Sequence, residues 1–130
     1  MTEILVDTSA WIAFFRGDNH AVGRIDALVA ENRASTTGVV YAEVLSGAPS
    51  LTIFHRLRAT FEALDWIDEP GDLWDRVASA RFTLARQGIQ ATVVDLVIAV
   101  TASEVGRSLL TRDRDFGYIS QVVPLELITF

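Results

Sequence analysis

Four acidic residues occupy positions where their surroundings make a negative charge costly. Asp7 directly follows the apolar run Ile4–Val6, and Glu43 shares a helical face with uncharged residues. Asp95 is the one ionisable residue between positions 93 and 102, and burial of an unpaired carboxylate raises its pKa by up to about 3–5 units. Asp113 follows a second strand-like apolar run. These positions are therefore candidates for chemistry.

Each acid also has an ordinary structural explanation. Asp7 could serve only as a helix N-cap, and Glu43 could extend to the rim of its helix face. Asp95 could be hydrogen-bonded to backbone or paired with an arginine, and the segment 111–116 could be a solvated turn of alternating charges. Taken singly, none of the four acids distinguishes these explanations from a functional role.

The surrounding pattern alternates short apolar runs with helical periods and predicts an α/β fold with a central parallel sheet. Acids that follow parallel strands lie at the carboxyl edge of the sheet, where open sheets bind ligands. The predicted helices cover 21–31, 36–48, 53–64, 70–87 and 93–105, and the predicted strands cover 4–6, 65–68, 108–111 and 122–127, the last broken by a proline.

A shared edge would bring these carboxylates together. At an effective dielectric of 20, two like charges about 4 Å apart repel by about 4 kcal/mol, so such a cluster requires protons or a divalent cation. Oxygen ligands favour a hard ion, which predicts Mg²⁺, with Mn²⁺ as a possible substitute.

Composition limits the other possibilities. The 130 residues suit one domain, 1–130, and the absence of cysteine excludes disulfides and thiolate chemistry. No apolar run is long enough for a membrane span, so we expect a cytoplasmic protein with no membrane partner. The net charge of −6 reflects either a generally acidic surface or carboxylates gathered around cations. All eleven basic residues are arginine, which suits phosphate contacts but also follows from GC-rich coding.

The motifs VDTSAWI, YAEVLSG, VVDLVIAVTA and LLTRDRDF, in this order over about 110 residues, closely resemble the acidic motifs of PIN-domain ribonucleases. The short length resembles VapC-type toxins within that family. The resemblance implies a three-layer α/β/α fold and a Mg²⁺-dependent endoribonuclease that hydrolyses tRNA or rRNA with metal-activated water. It places Asp7, Glu43, Asp95 and Asp113 in the catalytic, metal-binding site, with Thr8, Ser9 and Thr111 in support.

The resemblance alone does not decide between Asp113 and Asp115, because both match acidic positions in relatives. Asp113 is two residues beyond the predicted strand and could cap a short helix at 114–118, which directs its carboxylate to the sheet edge. We therefore assign Asp113 to the metal or its water, and Asp115 to a supporting or arginine-pairing role.

The resemblance further implies a homodimer and a VapB-type antitoxin. An acidic cleft would attract an arginine-bearing antitoxin tail. Trp11, Phe14 and Phe15 are either contacts for an antitoxin helix or simply core residues.

Two rival enzyme classes, aspartyl-phosphate phosphatases and receiver domains, require a lysine that the chain lacks. The phosphatases also require an acid two residues after the first aspartate, where this chain has Ser9. The remaining alternative is a PIN-like binding scaffold without nuclease activity.

Overall fold

A computed structural model describes residues 3–130 and contains a five-stranded sheet in which every strand pairing is parallel. The strand order is β3-β2-β1-β4-β5. The strands are β1 (Ile4–Val6), β2 (Ala34–Thr36), β3 (Asp65–Trp66), β4 (Ser108–Thr111) and β5 (Leu127–Thr129).

Seven helices connect the strands within the described residues. They are α1 (Thr8–Phe15), α2 (Asn19–Ala30), α3 (Gly38–Ser46), α4 (Leu51–Glu62), α5 (Leu73–Arg86), α6 (Val93–Glu104) and α7 (Asp115–Ile119). None of the helices in residues 3–130 has the length and apolar character that crossing a membrane requires.

The strand order reverses direction at β1, which creates a topological switch point between β1 and β4. From β1 the chain winds outward through β2 to β3, and it then returns to the other side of β1 to form β4 and β5. Because parallel crossovers are right-handed, the two directions of winding place helices on opposite faces of the sheet. The predicted three-layer α/β/α fold is therefore confirmed, with its ligand-binding crevice expected between the carboxyl ends of β1 and β4.

Burial explains why the central elements carry almost no charge. The strands β1 and β4 are flanked by others on both sides, and seven consecutive residues of α6, from Leu96 to Ala102, are buried. On the other face, Trp11 of α1 is fully buried and its ring lies 4.8 Å from that of Phe61. The hydrophobic stretches of the sequence therefore mark elements that are covered on more than one side.

Two of the predicted elements have different bounds in the structure. The helix predicted at 36–48 begins only at Gly38, because Ala34–Thr36 forms the buried strand β2 and Thr37 caps the helix by accepting a hydrogen bond from the Val40 amide. Strand β2 was missed because its small and polar residues form no apolar run. The strand predicted at 122–127 lies instead at Leu127–Thr129.

The displaced last strand has a local cause. The amides of Val122 and Val123 donate to the carbonyl of Ile119 and so continue the turn that ends α7. Pro124 has no amide hydrogen to donate to a sheet. Ladder bonding to β4 therefore begins only at Glu126, whose carbonyl accepts from Leu109.

One arginine joins four strands at the amino edge of the sheet, opposite the crevice. Arg107, just before β4, pairs with Asp65 of β3 and with Glu3, just before β1. It also donates to the hydroxyl of Ser35, a buried residue of β2, at 2.7 Å. The edge strand β3 has only two residues, both exposed, so this contact contributes to holding it in place.

Replacing Arg107 should therefore weaken the sheet. We expect Arg107→Ala to lower the free energy of unfolding by about 1–3 kcal/mol in urea denaturation, because it leaves the buried Ser35 hydroxyl without its donor. Arg58→Ala is the control, since Arg58 forms an exposed helical pair with Glu62 that is worth under about 0.5 kcal/mol. Equal losses in both variants would show that the amino-edge contact has no special role.

Candidate active site

Asp7 is held rigidly at the carboxyl end of β1, where it is 3% exposed. It is the N-cap of α1, and its Oδ1 accepts hydrogen bonds from the Ala10 amide at 3.0 Å and from Ser9 Oγ at 2.7 Å. Its Oδ2 accepts from Thr111 Oγ1 at 2.7 Å. Burial raises the pKa of Asp7 above its ordinary value, although these hydrogen bonds act in the opposite direction, and the charge of Asp113 adds to the rise. Asp7 is therefore both the N-cap of α1 and a member of the group of acids at the sheet edge.

Ser9 and Thr111 connect the two central strands around this carboxylate. Ser9 Oγ accepts from the Arg112 amide at 2.9 Å and lies 3.3 Å from Thr111 Oγ1. Thr111, the last residue of β4, accepts from the Asp113 amide at 2.9 Å. The hydroxyls therefore fix the loop that follows β4 relative to Asp7.

Glu43 reaches the site from α3. Its Oε1 accepts a hydrogen bond from Thr8 Oγ1 at 2.7 Å, so the first residue of α1 orients it. The glutamate is exposed. Glu43 therefore lies at the rim of the crevice, and from there its charge still acts on Asp95.

Asp95 is the acid most affected by its neighbours. It lies in the first turn of α6, and its amide donates to the side chain of the N-cap Thr92 at 3.1 Å. Burial raises the pKa of Asp95 to about 6, and the negative charges of Asp113, Asp7 and Glu43 add to the rise. None of the four acids forms an ion pair with an arginine in residues 3–130. The explanation that Asp95 is an arginine-paired core residue is therefore wrong for the described chain.

Asp113 and Asp115 differ in position. Asp113 is partly buried, its charge acts on both Asp7 and Asp95, and its Oδ1 accepts from the Asp115 amide at 2.9 Å. Asp115 is exposed in the first turn of α7 and is not among the charges that shift the pKa of either acid. The helix runs from Asp115 to Ile119, one residue later than predicted.

The structure thus brings together the four acids and the three predicted hydroxyls, from the ends of two strands, the beginnings of two helices and the middle of α3. Sequence reasoning missed Thr92, although a threonine three residues before an acid is a known sign of a helix start. It also missed the pair of Arg112 with Asp18, which are 94 positions apart and leave no local signal.

The donor set suits a hard divalent cation. All four acids offer oxygen ligands, and a bound cation would offset the repulsion between their negative charges. Within residues 3–130, no three histidine, cysteine, aspartate or glutamate side chains are placed so that they could hold a metal ion together. Mg²⁺ does not require three such ligands, since it retains several waters and is commonly bound through one or two carboxylates. The residues therefore fit a hydrated cation better than a fully protein-ligated one.

Solved structures with the same fold include toxin–antitoxin complexes. The VapBC2 structure from Rickettsia felis, bound to a promoter DNA fragment, has a TM-score of 0.79 and 18% identity, covering 99% of both chains. The structure of DNA-bound VapBC from Salmonella typhimurium has a TM-score of 0.76 and 21% identity, and the match covers 99% of this chain and 98% of that one. At these identities the likeness shows the fold alone.

Sequence relatives and a family model cover the chain almost completely. The VapC ribonuclease Mb1587 of Mycobacterium bovis and ribonuclease VapC11 of Mycobacterium tuberculosis are each 27% identical over 132 aligned positions, covering 98% of this chain and of the relative. The PIN domain model matches residues 4–122. Because that match spans nearly all of the sequence and all four acids, the chain belongs to the PIN domain family.

Proposed function

We propose that this protein is a metal-dependent endoribonuclease, the VapC-type toxin of a toxin–antitoxin pair. The observation that supports this most is that the charges of Asp7, Glu43 and Asp113 all act on Asp95, while none of the four acids is paired with an arginine within residues 3–130. The relatives named as VapC ribonucleases support the substrate class. A transfer RNA or ribosomal RNA is the substrate that the resemblance favours.

Asp7, Glu43, Asp95 and Asp113 are the residues that would hold Mg²⁺ or Mn²⁺. A cation bound there would activate water for attack on a phosphodiester and neutralise charge that develops on the phosphate. The chain's own residues prepare the site. Ser9 and Thr111 fix both oxygens of Asp7, and Thr8 fixes Glu43. These hydroxyl contacts leave further lone pairs on each carboxylate for a cation or its waters.

A binding scaffold without nuclease activity is the alternative. A scaffold has no need of a carboxylate whose pKa is raised to about 6 by burial and, further, by the charges of three other acids, and clusters of this kind are costly unless they are used. Activity with Mg²⁺ that disappears on chelation distinguishes the enzyme from the scaffold.

A VapB-type antitoxin is the partner that we propose, and the exposure of the aromatic residues of α1 supports one binding position for it. Trp11 is fully buried and Phe14 packs against the core, so these two are core residues. Phe15 is 43% exposed and, with Ile12, lines an apolar groove of about 500 Å³ that also includes Glu43. An antitoxin helix in this groove could direct an arginine at the acids.

Asp95→Asn is the cleanest test of the enzyme. We expect it to abolish RNA cleavage while the protein stays folded, because it removes the charge while the new side-chain amide oxygen can still accept the hydrogen bond from Thr92, and the backbone amide at position 95 keeps its own bond to Thr92 Oγ1. Asp7→Asn should also abolish cleavage, but it replaces an acceptor of three hydrogen bonds and is less specific. Cleavage of total RNA with Mg²⁺ and with excess EDTA is the measurement, and full activity in Asp95→Asn or in EDTA would contradict the proposal.

Asp95→Asn should also change how the melting temperature depends on pH. Because the folded-state pKa of Asp95 is about 6 against 3.8 ordinarily, the unfolded chain loses this proton first, so the stability cost builds up as pH rises from about 4 to about 6, is fully present above 6, and is absent below about 4. In EDTA, Asp95→Asn should therefore melt higher than the wild type at pH 7.5, with the difference shrinking by pH 4.5. Added Mg²⁺ should raise the melting temperature of the wild type more than that of the variant.

Asp113 and Asp115 can be separated by single substitutions. We expect Asp113→Asn to lose nearly all cleavage, because its charge acts on both Asp7 and Asp95. Asp115→Asn should lose about 10–100-fold or less, as is typical of groups that act through a ligand's neighbours. The measurement is the cleavage rate as a function of Mg²⁺ concentration, and a larger loss in Asp115→Asn would reverse the assignment.

The homodimer remains a prediction from the family resemblance. We expect size-exclusion chromatography with light scattering to give twice the chain mass of 14.3 kDa at micromolar concentration. A monomer at that concentration would contradict the prediction.

A further inference from the structure

A second cavity adjoins the acid cluster. It measures about 680 Å³ and lies between the end of α1 and the segment after β4. Ser9 and Asp113 line it and also belong to the candidate active site, so the cavity borders the acid cluster. The volume lies in the range of about 300–1,000 Å³ that is typical of ligand pockets.

One of the two arginines in this cavity is already neutralised. Arg112 makes two hydrogen bonds to Asp18, at 2.8 and 2.9 Å, and its guanidinium lies 4.4 Å from the centre of the Phe130 ring. The hydrogen bonds from Arg112 hold the pKa of Asp18 down at about 2. Arg112 is therefore fixed in place, and the pair adds no net charge to the cavity.

Arg16 is the other arginine, and it has no counter-charge. It is the exposed C-cap residue of α1 and forms no ion pair with any residue between 3 and 130. Among the residues that line this cavity it is the one cation without an acidic partner. Gly17, with φ of +80°, turns the chain directly after it, and an added Cβ there would meet nothing within 4 Å, so the wall is open at this point.

We propose that Arg16 binds a phosphate of the RNA next to the one that is cleaved, with the strand passing from the acid cluster into this cavity. The inference rests on the proposed ribonuclease function. A protein of net charge −6 that gathers carboxylates at its active site must still hold a polyanion beside them. A guanidinium offers a planar fork of donors that matches phosphate, and Arg16 is the arginine lining this cavity that has no acidic partner.

The test compares Arg16→Ala with Arg56→Ala, which removes the same charge from an exposed residue of α4 that lines none of the cavities described here. One measurement is the steady-state cleavage of total RNA or of a defined RNA fragment. The other is the binding of a twelve-nucleotide oligothymidylate by fluorescence anisotropy as a function of salt. This DNA has the same phosphates but lacks the 2′-hydroxyl, so its binding is independent of RNA cleavage.

We expect Arg16→Ala to raise KM and the Kd for the oligonucleotide at least about tenfold, as loss of a charge-assisted hydrogen bond does. Its kcat should stay within about twofold, and the salt dependence of log Kd should fall by about 0.7 for one lost phosphate contact. Arg16→Lys should recover part of the binding, and Arg56→Ala should leave both measurements unchanged.

The two proposals fail in different ways. If Arg16→Ala binds the oligonucleotide and cleaves RNA like Arg56→Ala, the phosphate site is refuted while the ribonuclease function stands. If the wild type shows no cleavage but Arg16→Ala still loses oligonucleotide binding, the ribonuclease function is refuted and the phosphate site stands. A loss of kcat with unchanged KM and Kd would also overturn the role of Arg16 as a phosphate contact.

Discussion

Repulsion between carboxylates at the carboxyl edge of the sheet is the constraint on which the arrangement of this molecule depends. Three other acids raise the pKa of Asp95 beyond what burial alone does, and no arginine of residues 3–130 neutralises any of them. Hydroxyl donors from Thr8, Ser9 and Thr111 offset part of the cost. The rest must be carried by the packing of the central strands and α6, whose buried apolar residues surround the site.

Helix starts position three of the four acids, and Glu43, in the middle of α3, is the exception. Asp7 caps α1, Asp95 lies one turn into a helix capped by Thr92, and Asp113 binds the first amide of α7. Each contact satisfies an amide that the helix leaves free and fixes the carboxylate near the positive end of a helix dipole. The same local geometry therefore stabilises the helices and aims the charges.

Arg107, Arg112 and Arg16 differ in whether an acid of the fold neutralises them. Arg107 is bound by acids at the opposite edge of the sheet, and Arg112 is bound by Asp18 at the flank of the site. Arg16 alone lines the adjoining cavity unpaired. Charges that are paired within the fold cannot attract phosphate, whereas a free guanidinium at the mouth of an acidic site can.

The sequence by itself determined the parallel α/β class, the strands at Ile4–Val6 and Ser108–Thr111, and the four acids as candidates, because these signals are local: apolar runs, capping residues and charges in apolar stretches. Only the tertiary structure revealed strand β2, whose small polar residues are buried by neighbouring strands rather than by their own hydrophobicity. It also decided which hydroxyl orients which carboxylate, and that Asp113 rather than Asp115 acts on Asp7 and Asp95. Such contacts join residues up to 104 positions apart, and no local pattern encodes them because they depend on how the strand ends meet in space.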